Sequence, residues 1–430
     1  MNTKQNSIQK VFRNRNFSLL WAGQSISLLG DQFEMIAVPW LVLKLTNDPL
    51  ALGSVLALSS IPRALFMLLG GAISDRFPAR TVMLVSDAVR LVLAAALAAA
   101  VFTGVVQIWM LYAFALAFGL VSGFFIPAAS SMMPHIVDKE DLQAGNALMQ
   151  GTGQLTYFLG PVLAGGLIAL FAARGTAETT LGLTGIALAF AVDAFSFLAS
   201  IATLLKMAPV AAPKAGPEES VLASIRSGIR HAVNDSPLKV MLVLVSAANL
   251  FFLGPLFVGI PVLAQLRLAG GAAAFGLVMS AYGGGNLVGI LLAGSLPRPK
   301  AAQMNVLLVA MLTSFGVALI SFAFVTSTWL AFAIMLVTGV GNGFFAITAI
   351  TMLQQRTPSV MLGRVMSLVM FASNGLAPVS QALTGVVIKL SLDGLFIGAG
   401  ILMVLLAVWT LLSHDARGMS YAMLQTVPAE

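Results

Sequence analysis

Apolar residues along this chain fall into twelve long runs, and short segments between the runs carry most of the charged residues. Each run is close to or longer than the roughly 20 residues that a helix needs to cross the hydrocarbon core of a bilayer. The pattern therefore predicts twelve membrane-spanning helices, called spans one to twelve below. The predicted spans are 17–43, 49–72, 80–103, 107–128, 147–171, 181–206, 238–264, 273–296, 303–325, 328–352, 363–388 and 394–413.

Lysines and arginines are distributed unevenly between the two sides of the predicted membrane. Seventeen lie in segments on the side of the N-terminus, whereas the opposite side holds only Lys44, Arg174, Arg267 and Lys389. Positively charged loops tend to remain on the cytoplasmic side of a membrane. The distribution thus predicts a multi-pass protein of the cytoplasmic (inner) membrane with both termini in the cytoplasm.

The composition restricts the classes of protein further. Hydrophobic residues make up 59% of the 430 and charged residues only 9%, which is typical of a polytopic membrane protein. The net charge of +7 comes from short loops, so it indicates orientation in the membrane rather than nucleic-acid binding. The chain has no cysteine, which excludes disulfides and thiolate chemistry. We expect a monomer in the lipid bilayer, with no nucleic-acid partner, no cofactor and no metal site.

A polar central segment divides the spans into two groups of six. It includes a predicted amphipathic helix at 221–233, with apolar residues on one face and Arg226 and Arg230 on the other. The predicted domains are an N-terminal six-helix bundle at 1–206, a cytoplasmic linker with this helix at 207–237, a C-terminal six-helix bundle at 238–413 and a cytoplasmic tail at 414–430.

The two groups of spans also share sequence features. The pattern Gly-x-x-x-Gly-Phe-Phe begins at Gly119 in span four and again at Gly339 in span ten, 220 residues later. Pro39 in span one has a counterpart in Pro261 of span seven, 222 residues later. Both features favour duplicated halves, an arrangement that places a substrate site near the bilayer midplane.

The segment between spans two and three is short and polar, and such a turn can only lie at a membrane surface, because lipid offers no hydrogen-bond partners to irregular backbone. Its spacing resembles the signature loop of the major facilitator superfamily, a glycine followed four residues later by Asp-Arg and a basic end. Pro78 and Ala79 depart from that pattern. The resemblance implies a gating loop, and the alternative is an ordinary basic turn that only sets topology. The gating-loop residues are Gly71, Asp75, Arg76 and Arg80.

Two further motifs resemble members of the same superfamily. Gly160, Pro161, Gly165 and Gly166 in span five are similar to its exporter-associated Gly-Pro…Gly-Gly motif, with one extra residue before the paired glycines. The opening of span one, residues 17–31, resembles the branch that contains macrolide-efflux and enterobactin-exporter proteins. The resemblance implies an all-α membrane protein with twelve transmembrane helices in two pseudo-symmetric six-helix bundles, working as a drug:proton antiporter.

Ionisable residues inside the spans are the candidates for chemistry, because a charge within the bilayer is costly and tends to be functional. All six lie in the N-terminal half, whereas the C-terminal half has only amides such as Asn249 and Asn286 deep in its spans. The asymmetry predicts ion coupling in the first half and apolar contact with substrate in the second. The six residues are Asp31, Glu34, Arg63, Asp87, Arg90 and Asp193.

Asp31 is the predicted principal proton-coupling carboxyl group, with Glu34 and Asp193 as further candidates. Asp31 lies near the middle of span one, and Glu34 is three residues on, so both acids share a helical face. Burial and mutual repulsion both favour the protonated form of a carboxyl group, as a proton carrier requires.

Alternatives remain for these residues. Arg63, Asp87 and Arg90 are predicted intramembrane charge partners, but they could form a purely structural ion-pair cluster. Asp31 could be a fixed partner of one arginine, needed only for folding. Asp193 could be satisfied by hydroxyl donors such as that of Ser196.

The sequence therefore favours secondary active efflux of amphipathic small molecules, which could be drugs, macrolide-like or siderophore-like compounds, by proton antiport with alternating access. An uptake permease or a lipid flippase on the same fold is the alternative. An enzyme or a receptor is disfavoured, because the chain has no soluble domain and no P-loop, His-Glu-x-x-His or Gly-x-Ser-x-Gly motif.

Overall fold

The structure is a computed structural model of the chain. It describes residues 2–74, 77–138, 140–172, 183–208, 230, 235–297, 299, 301–357 and 359–413. The predicted amphipathic helix at 221–233 and the tail at 414–430 therefore lie, almost entirely, outside the described residues.

Helices account for nearly all of the described residues, and no β-strand occurs among them. The helices are α1 (Asn2–Arg13), α2 (Arg15–Thr46), α3 (Pro49–Ser74), α4 (Ala79–Phe102), α5 (Ile108–Ile136), α6 (Leu142–Ala172), α7 (Thr184–Lys206), α8 (Ser236–Gly254), a π-helical turn (Pro255–Gly259), α9 (Ile260–Arg267), α10 (Ala272–Ser295), α11 (Ala301–Phe322), α12 (Thr328–Arg356), α13 (Ser359–Asn374), α14 (Ala377–Leu390) and α15 (Leu392–Leu412).

Eleven helical segments in the described part of the chain are long and apolar enough to cross a membrane. Predicted span seven is one of them, and it runs through α8, the π-helical turn and α9. Predicted span eleven, 363–388, differs from expectation because the chain turns at Gly375 and separates α13 from α14. Pro378 lies in the first turn of α14, where its missing N–H costs no intrahelical hydrogen bond. Neither α13 nor α14 is among the eleven segments, so the twelfth predicted crossing stays a prediction.

Polar residues define several helix ends. The Asn14 side chain accepts hydrogen bonds from the backbone N–H groups of Asn16 and Phe17 at the start of α2, and Asn47 ends that helix in the left-handed conformation at φ 49°. Ser391 caps α15 in the same way as Asn14 caps α2. Such caps satisfy backbone groups that the helix itself leaves unpaired, so they fix where each helix begins and ends.

The chain folds into two compact units. Unit 1 comprises Met1–Asn47, Leu58–Glu218 and Gly270–Ser280, and unit 2 comprises Asp48–Ala57, Glu219–Ala269 and Ala281–Glu430. The division falls inside α3 and α10, so the first turns of each of these helices belong to one unit and the remainder to the other. The predicted bundles at 1–206 and 238–413 divide the chain into consecutive segments instead, and they stay a prediction.

Unit 1 is built around α2, which packs against α6 and α7, and around α4, which packs against α5 and α7. A buried apolar cluster closes the end of this unit at which α2 begins. Its members are Val11, Phe17, Leu20, Ala79, Met83, Phe125, Ala128, Met132, Met133, Ile136, Val137, Leu204 and Met207.

In unit 2, α8 packs against α13 and α14, and α11 packs against α15. The π-helical turn after α8 has a local cause. The Ser380 hydroxyl of α14 accepts a hydrogen bond from the Gly254 N–H at 2.7 Å and donates one to the Leu250 carbonyl at 2.6 Å. These two backbone groups are four residues apart and would pair with each other in a regular α-helix. Insertion of a side chain into the helical ladder is a recognised cause of such irregularities.

Glycine contacts support the duplication predicted from the Gly-x-x-x-Gly-Phe-Phe repeat. In unit 1, Gly119 of α5 packs against the backbone of Ser59 in α3. In unit 2, Gly339 of α12 packs in the same way against Tyr282 in α10. A side chain at either glycine would collide with backbone, so both halves of the repeat hold their second and fourth spans at the same close distance.

A second mirrored pair of glycine contacts was not anticipated from the sequence. In unit 1, a Cβ on Gly165 of α6 would lie 3.0 Å from the Cα of Gly276 at the start of α10. In unit 2, a Cβ on Gly385 of α14 would lie 3.3 Å from the Cα of Gly53 at the start of α3. Gly385 follows Gly165 by 220 residues, which equals the offset of the first repeat, and Gly276 follows Gly53 by 223, which is close to it.

Candidate functional site

The acids predicted in span one lie on α2 inside unit 1. Asp31 and Glu34 are both half-buried. The Oδ1 atom of Asp31 is buried and has no hydrogen-bond partner among the described residues. No nitrogen of Arg63 or Arg90 lies within the 4.0 Å that defines an ion pair with Asp31. Neither of these two described arginines is therefore a fixed ion-pair partner of Asp31.

Asp193 faces α2 from the middle of α7 and is completely buried. Neither of its carboxyl oxygens has a hydrogen-bond partner in the described part of the chain. Gly30 makes room for it, since a Cβ at that position would lie 2.9 Å from Asp193 Oδ1 and would collide with Ser196. The Ser196 hydroxyl donates to the backbone carbonyl of Asp193 at 2.7 Å. This serine thus leaves the carboxyl group unsatisfied, contrary to the alternative considered from the sequence.

Asp87 and Arg90 on α4 lie together, as their spacing predicts, but they are not tightly paired. Asp87 is completely buried, and its Oδ1 lies 3.9 Å from Nη1 of Arg90. The other oxygen, Oδ2, accepts a hydrogen bond of 2.7 Å from the Ser200 hydroxyl of α7. The Arg90 guanidinium instead packs against aromatic rings, with Phe125 4.2 Å from the guanidinium carbon.

Arg63 on α3 is half-buried and weakly held. Its Nη2 donates a long hydrogen bond of 3.4 Å to the Ser59 hydroxyl one turn earlier, and its Nε has no partner among the described residues. Within the described residues, the Arg63 guanidinium thus makes one long hydrogen bond, so it can respond to the acids around it.

All six predicted intramembrane charges belong to one electrostatic cluster in unit 1. Asp31 interacts with both arginines, Glu34 interacts with Asp31, and Asp193 interacts with both of those acids. The cluster holds four carboxyl groups and two guanidinium groups, and Asp87–Arg90 is the only pair of them within 4.0 Å in the described residues. Charges in a low-dielectric interior require neutralisation. The two additional carboxyl groups can be neutralised by binding protons or another cation.

The predicted gating loop is described only in part. Gly71 lies in α3, whereas Asp75 and Arg76 lie outside the described residues. Arg80 in the first turn of α4 donates to the backbone carbonyls of Leu204 and Leu205 at 2.8 and 3.0 Å. These carbonyls belong to the last turn of α7, where helix donors run out, and the Leu204 carbonyl also accepts the Met207 N–H at 3.3 Å. Arg80 therefore ties the start of α4 to the end of α7.

The exporter-like motif of span five forms helix contacts on α6. Gly160 packs against the side chain of Gln32 on α2, and the Pro161 carbonyl lies against Gly276. Gly165 takes part in the mirrored contact with α10, but Gly166 has no neighbour within 4 Å of the position that a Cβ would occupy. Three of the four predicted residues thus lie in tight contacts, and the fourth does not.

Residues that the sequence analysis missed complete the cluster. Ser200 lies seven residues after Asp193, so both face the same side of α7, and that spacing could have identified it. Phe118, Phe125 and Phe197 surround Arg90. Nothing in the sequence distinguishes these three from the other 24 phenylalanines.

Comparison with known proteins agrees with this architecture. Residues 7–420 match the model of the transmembrane secretion effector family. A transporter of the major facilitator type from Sinorhizobium fredii is 26% identical over 92% of this chain and 94% of its own length. Macrolide efflux protein A of Streptococcus pyogenes is 21% identical over 93% of this chain and 96% of its own length.

Solved structures show the same fold. The nucleoside transporter NupG superposes with a TM-score of 0.74 at 12% identity, covering 96% of this chain and all of that one. A bacterial homologue of the iron transporter ferroportin, in an inward-facing state, gives a TM-score of 0.66 at 18% identity over 92% of this chain and 98% of its own. This chain therefore belongs to the transmembrane secretion effector family within the major facilitator superfamily of membrane transporters.

Proposed function

We propose that this protein is a proton-coupled exporter of amphipathic small molecules, which it moves by alternating access. The observation that carries the proposal is the cluster in unit 1, where acids outnumber arginines, and where Oδ1 of Asp31 and both carboxyl oxygens of Asp193 have no hydrogen-bond partner among the described residues. A carboxyl group without a fixed partner can gain and lose a proton without breaking the fold, as a coupling site requires.

Asp31 is the principal proton carrier in this proposal, and Glu34 and Asp193 are further carboxyl groups that bind and release protons. Glu34 interacts with both Asp31 and Asp193, so ionisation of one acid opposes ionisation of the next. Arg63 and Arg90 are the cations that can replace a proton at these acids when the cluster rearranges.

Export rather than uptake is proposed on two grounds. The relative from Streptococcus pyogenes is a macrolide efflux protein and spans almost the whole chain. The exporter-like motif places Pro161 and Gly165 in close helix contacts. We further propose that the protein resides in the cytoplasmic membrane with both termini inside, because seventeen of the loop lysines and arginines then face the cytoplasm.

The test is transport of a radiolabelled macrolide into proteoliposomes with an imposed pH gradient. Antiport predicts accumulation in vesicles that are acidic inside, above the level in protein-free vesicles of the same lipid, which corrects for passive trapping of a weak base. Accumulation only in vesicles that are acidic outside would indicate proton-coupled uptake and contradict export. The same assay extends to siderophores if the macrolide is not moved.

Asp31→Asn is the decisive variant. It should bind the macrolide in detergent but accumulate no more than protein-free vesicles do, because the amide cannot carry a proton. Asp138→Asn is the matched control, since Asp138 is exposed in the loop before α6, outside the cluster. An Asp31→Asn protein that concentrates substrate as well as wild type would remove Asp31 as the carrier.

A further inference from the structure

Arg90 occupies a cage of aromatic rings rather than an ion pair. Its guanidinium carbon lies 4.2 Å from the centre of the Phe125 ring, 5.3 Å from Phe118 and 5.6 Å from Phe197. The side chain is 4% exposed, and its Nε has no hydrogen-bond partner among the described residues. The cage draws on two helices, since Phe118 and Phe125 come from α5 and Phe197 comes from α7.

The rings hold the cation differently from a carboxylate. The face of a phenyl ring attracts a cation, and the attraction is strongest where water is excluded. A phenyl ring accepts no strong directional hydrogen bond, however. The N–H donors of the guanidinium therefore remain available, whereas a bidentate ion pair with a carboxylate would occupy two of them. Asp87 does not provide that pair, because one of its oxygens lies 3.9 Å from Arg90 and the other accepts the Ser200 hydroxyl.

Charged and titratable groups face Arg90 from the helices around it. Asp31 and Glu34 of α2 and Asp193 of α7 all interact with Arg90 electrostatically, as does Asp87 on its own helix. Arg63 of α3 and Tyr157 of α6 interact with Asp31. The position of the Arg90 guanidinium therefore affects how readily each of these carboxyl groups ionises.

We propose that Phe125, with Phe118 and Phe197, is a positioning residue for proton coupling: the rings withhold the Arg90 guanidinium from Asp31 and Asp193 and so leave these acids free to bind protons. The inference rests on the proposed function, since it assumes that the acids carry protons. Phe125 touches neither proton nor substrate in this role and acts only through Arg90.

Phe125→Leu tests the role, because leucine keeps an apolar side chain but has no ring face. A guanidinium released from the cage moves towards the carboxyl groups and favours their ionised form, so protons bind only at lower pH. Transport by this variant should therefore have its pH midpoint shifted to more acidic values by about 0.5 to 1 unit. Phe125→Tyr retains the ring face and should keep the wild-type midpoint.

Phe114→Leu is the matched control. Phe114 is buried on the same helix, stacks on Phe118 at 5.1 Å and meets Phe190 edge-to-face at 6.1 Å, but its own ring does not contact the Arg90 guanidinium in the described structure. It should lower stability as a core truncation does while leaving the pH midpoint unchanged. If Phe125 had a merely structural role, Phe125→Leu and Phe114→Leu would both keep the wild-type pH midpoint of transport. That result would overturn the inference.

A second measurement does not depend on transport. A hydrophobic carbodiimide modifies protonated carboxyl groups in membranes, and peptide mapping reports its reaction at Asp31 and Asp193 across a pH series. Phe125→Leu should shift the labelling midpoint to lower pH, and Phe114→Leu should not. If the wild type shows no pH-driven transport, the proposed function fails by itself. An unchanged labelling midpoint in Phe125→Leu refutes the cage role.

Discussion

Units 1 and 2 share a packing scheme but differ in how they treat buried polar groups. In unit 1, Asp193 is fully buried, and neither of its carboxyl oxygens has a partner in the described residues. In unit 2, Ser380 is equally buried and uses its hydroxyl twice, between Gly254 and Leu250. A buried polar group without a hydrogen bond costs free energy, whereas a satisfied one contributes some. Among the described residues, unit 1 therefore leaves a buried carboxyl group unpaired, whereas unit 2 uses a buried hydroxyl to shape a helix.

The shared part of the two units is the set of glycine contacts. Gly165 with Gly276 in unit 1 and Gly53 with Gly385 in unit 2 bring helix backbones together at equivalent places in the repeat. Small residues allow such approaches in membranes, where packing rather than the hydrophobic effect drives association. The charged residues of the cluster take no part in these contacts, so the duplication accounts for the packing and not for the charge cluster.

The largest effect is expected at the shared contacts. Gly165→Leu and Gly385→Leu should each abolish transport and lower the melting temperature in detergent, because the new side chain meets backbone atoms of the neighbouring helix. Gly166→Leu is the control, since nothing lies within 4 Å of its Cβ position, and it should retain wild-type transport and stability. If only one of the two leucine variants lost transport and stability, the two glycine contacts would not be equivalent.

Substitutions of the buried polar residues Asp193 and Ser380 should change the stability of the protein in opposite directions. Asp193→Leu should raise the free energy of unfolding by about 1–3 kcal/mol, because an unsatisfied carboxyl group leaves the core, while transport falls. Ser380→Ala should lower it by about 1–2 kcal/mol, because the Gly254 N–H and the Leu250 carbonyl lose their shared partner. Thermal unfolding in one detergent measures both. A destabilised Asp193→Leu protein would mean that this acid is structural.

A smaller effect is expected where α4 meets α7 in unit 1. Arg80→Met should cost about 1 kcal/mol of stability, since it removes the hydrogen bonds to the Leu204 and Leu205 carbonyls. Arg267→Met in unit 2 removes the bond to the Ala323 carbonyl and the 2.7 Å ion pair with Asp393, so it should cost at least as much. Thermal melting of the two variants under the same conditions shows which of them loses more stability.

The smallest effect is expected at Lys10 of α1. Lys10 lies 2.7 Å from Asp141, and the hydrogen bond and the charge of that carboxylate raise the pKa of Lys10 above its ordinary value of 10.5. A raised pKa means that Lys10 stays protonated throughout the physiological range and loses the contact only above that value. Lys10→Met should therefore leave the pH midpoint of transport unchanged. A shifted midpoint would place a second titrating site outside the cluster.

Much of this architecture could be predicted from apolar run lengths, because a bilayer sets the length of every crossing. The Gly-x-x-x-Gly-Phe-Phe repeat likewise indicates duplicated halves from the sequence alone. The break at Gly375 was missed, because residues 363–388 are apolar enough for a single helix. The π-helical turn was also missed, since its cause is the Ser380 hydroxyl on another helix.

The sequence by itself determined which residues could carry charge inside the membrane, because hydropathy identifies Asp31, Glu34 and Asp193 wherever the helices pack. Only the tertiary structure decided how those charges are satisfied. Arg90 is three residues from Asp87, yet its guanidinium packs against Phe125 from another helix, and Ser200 takes one oxygen of Asp87. Local spacing specifies which groups can meet on one helix. The partners that compete for them come from distant parts of the chain, and packing alone brings those partners within reach.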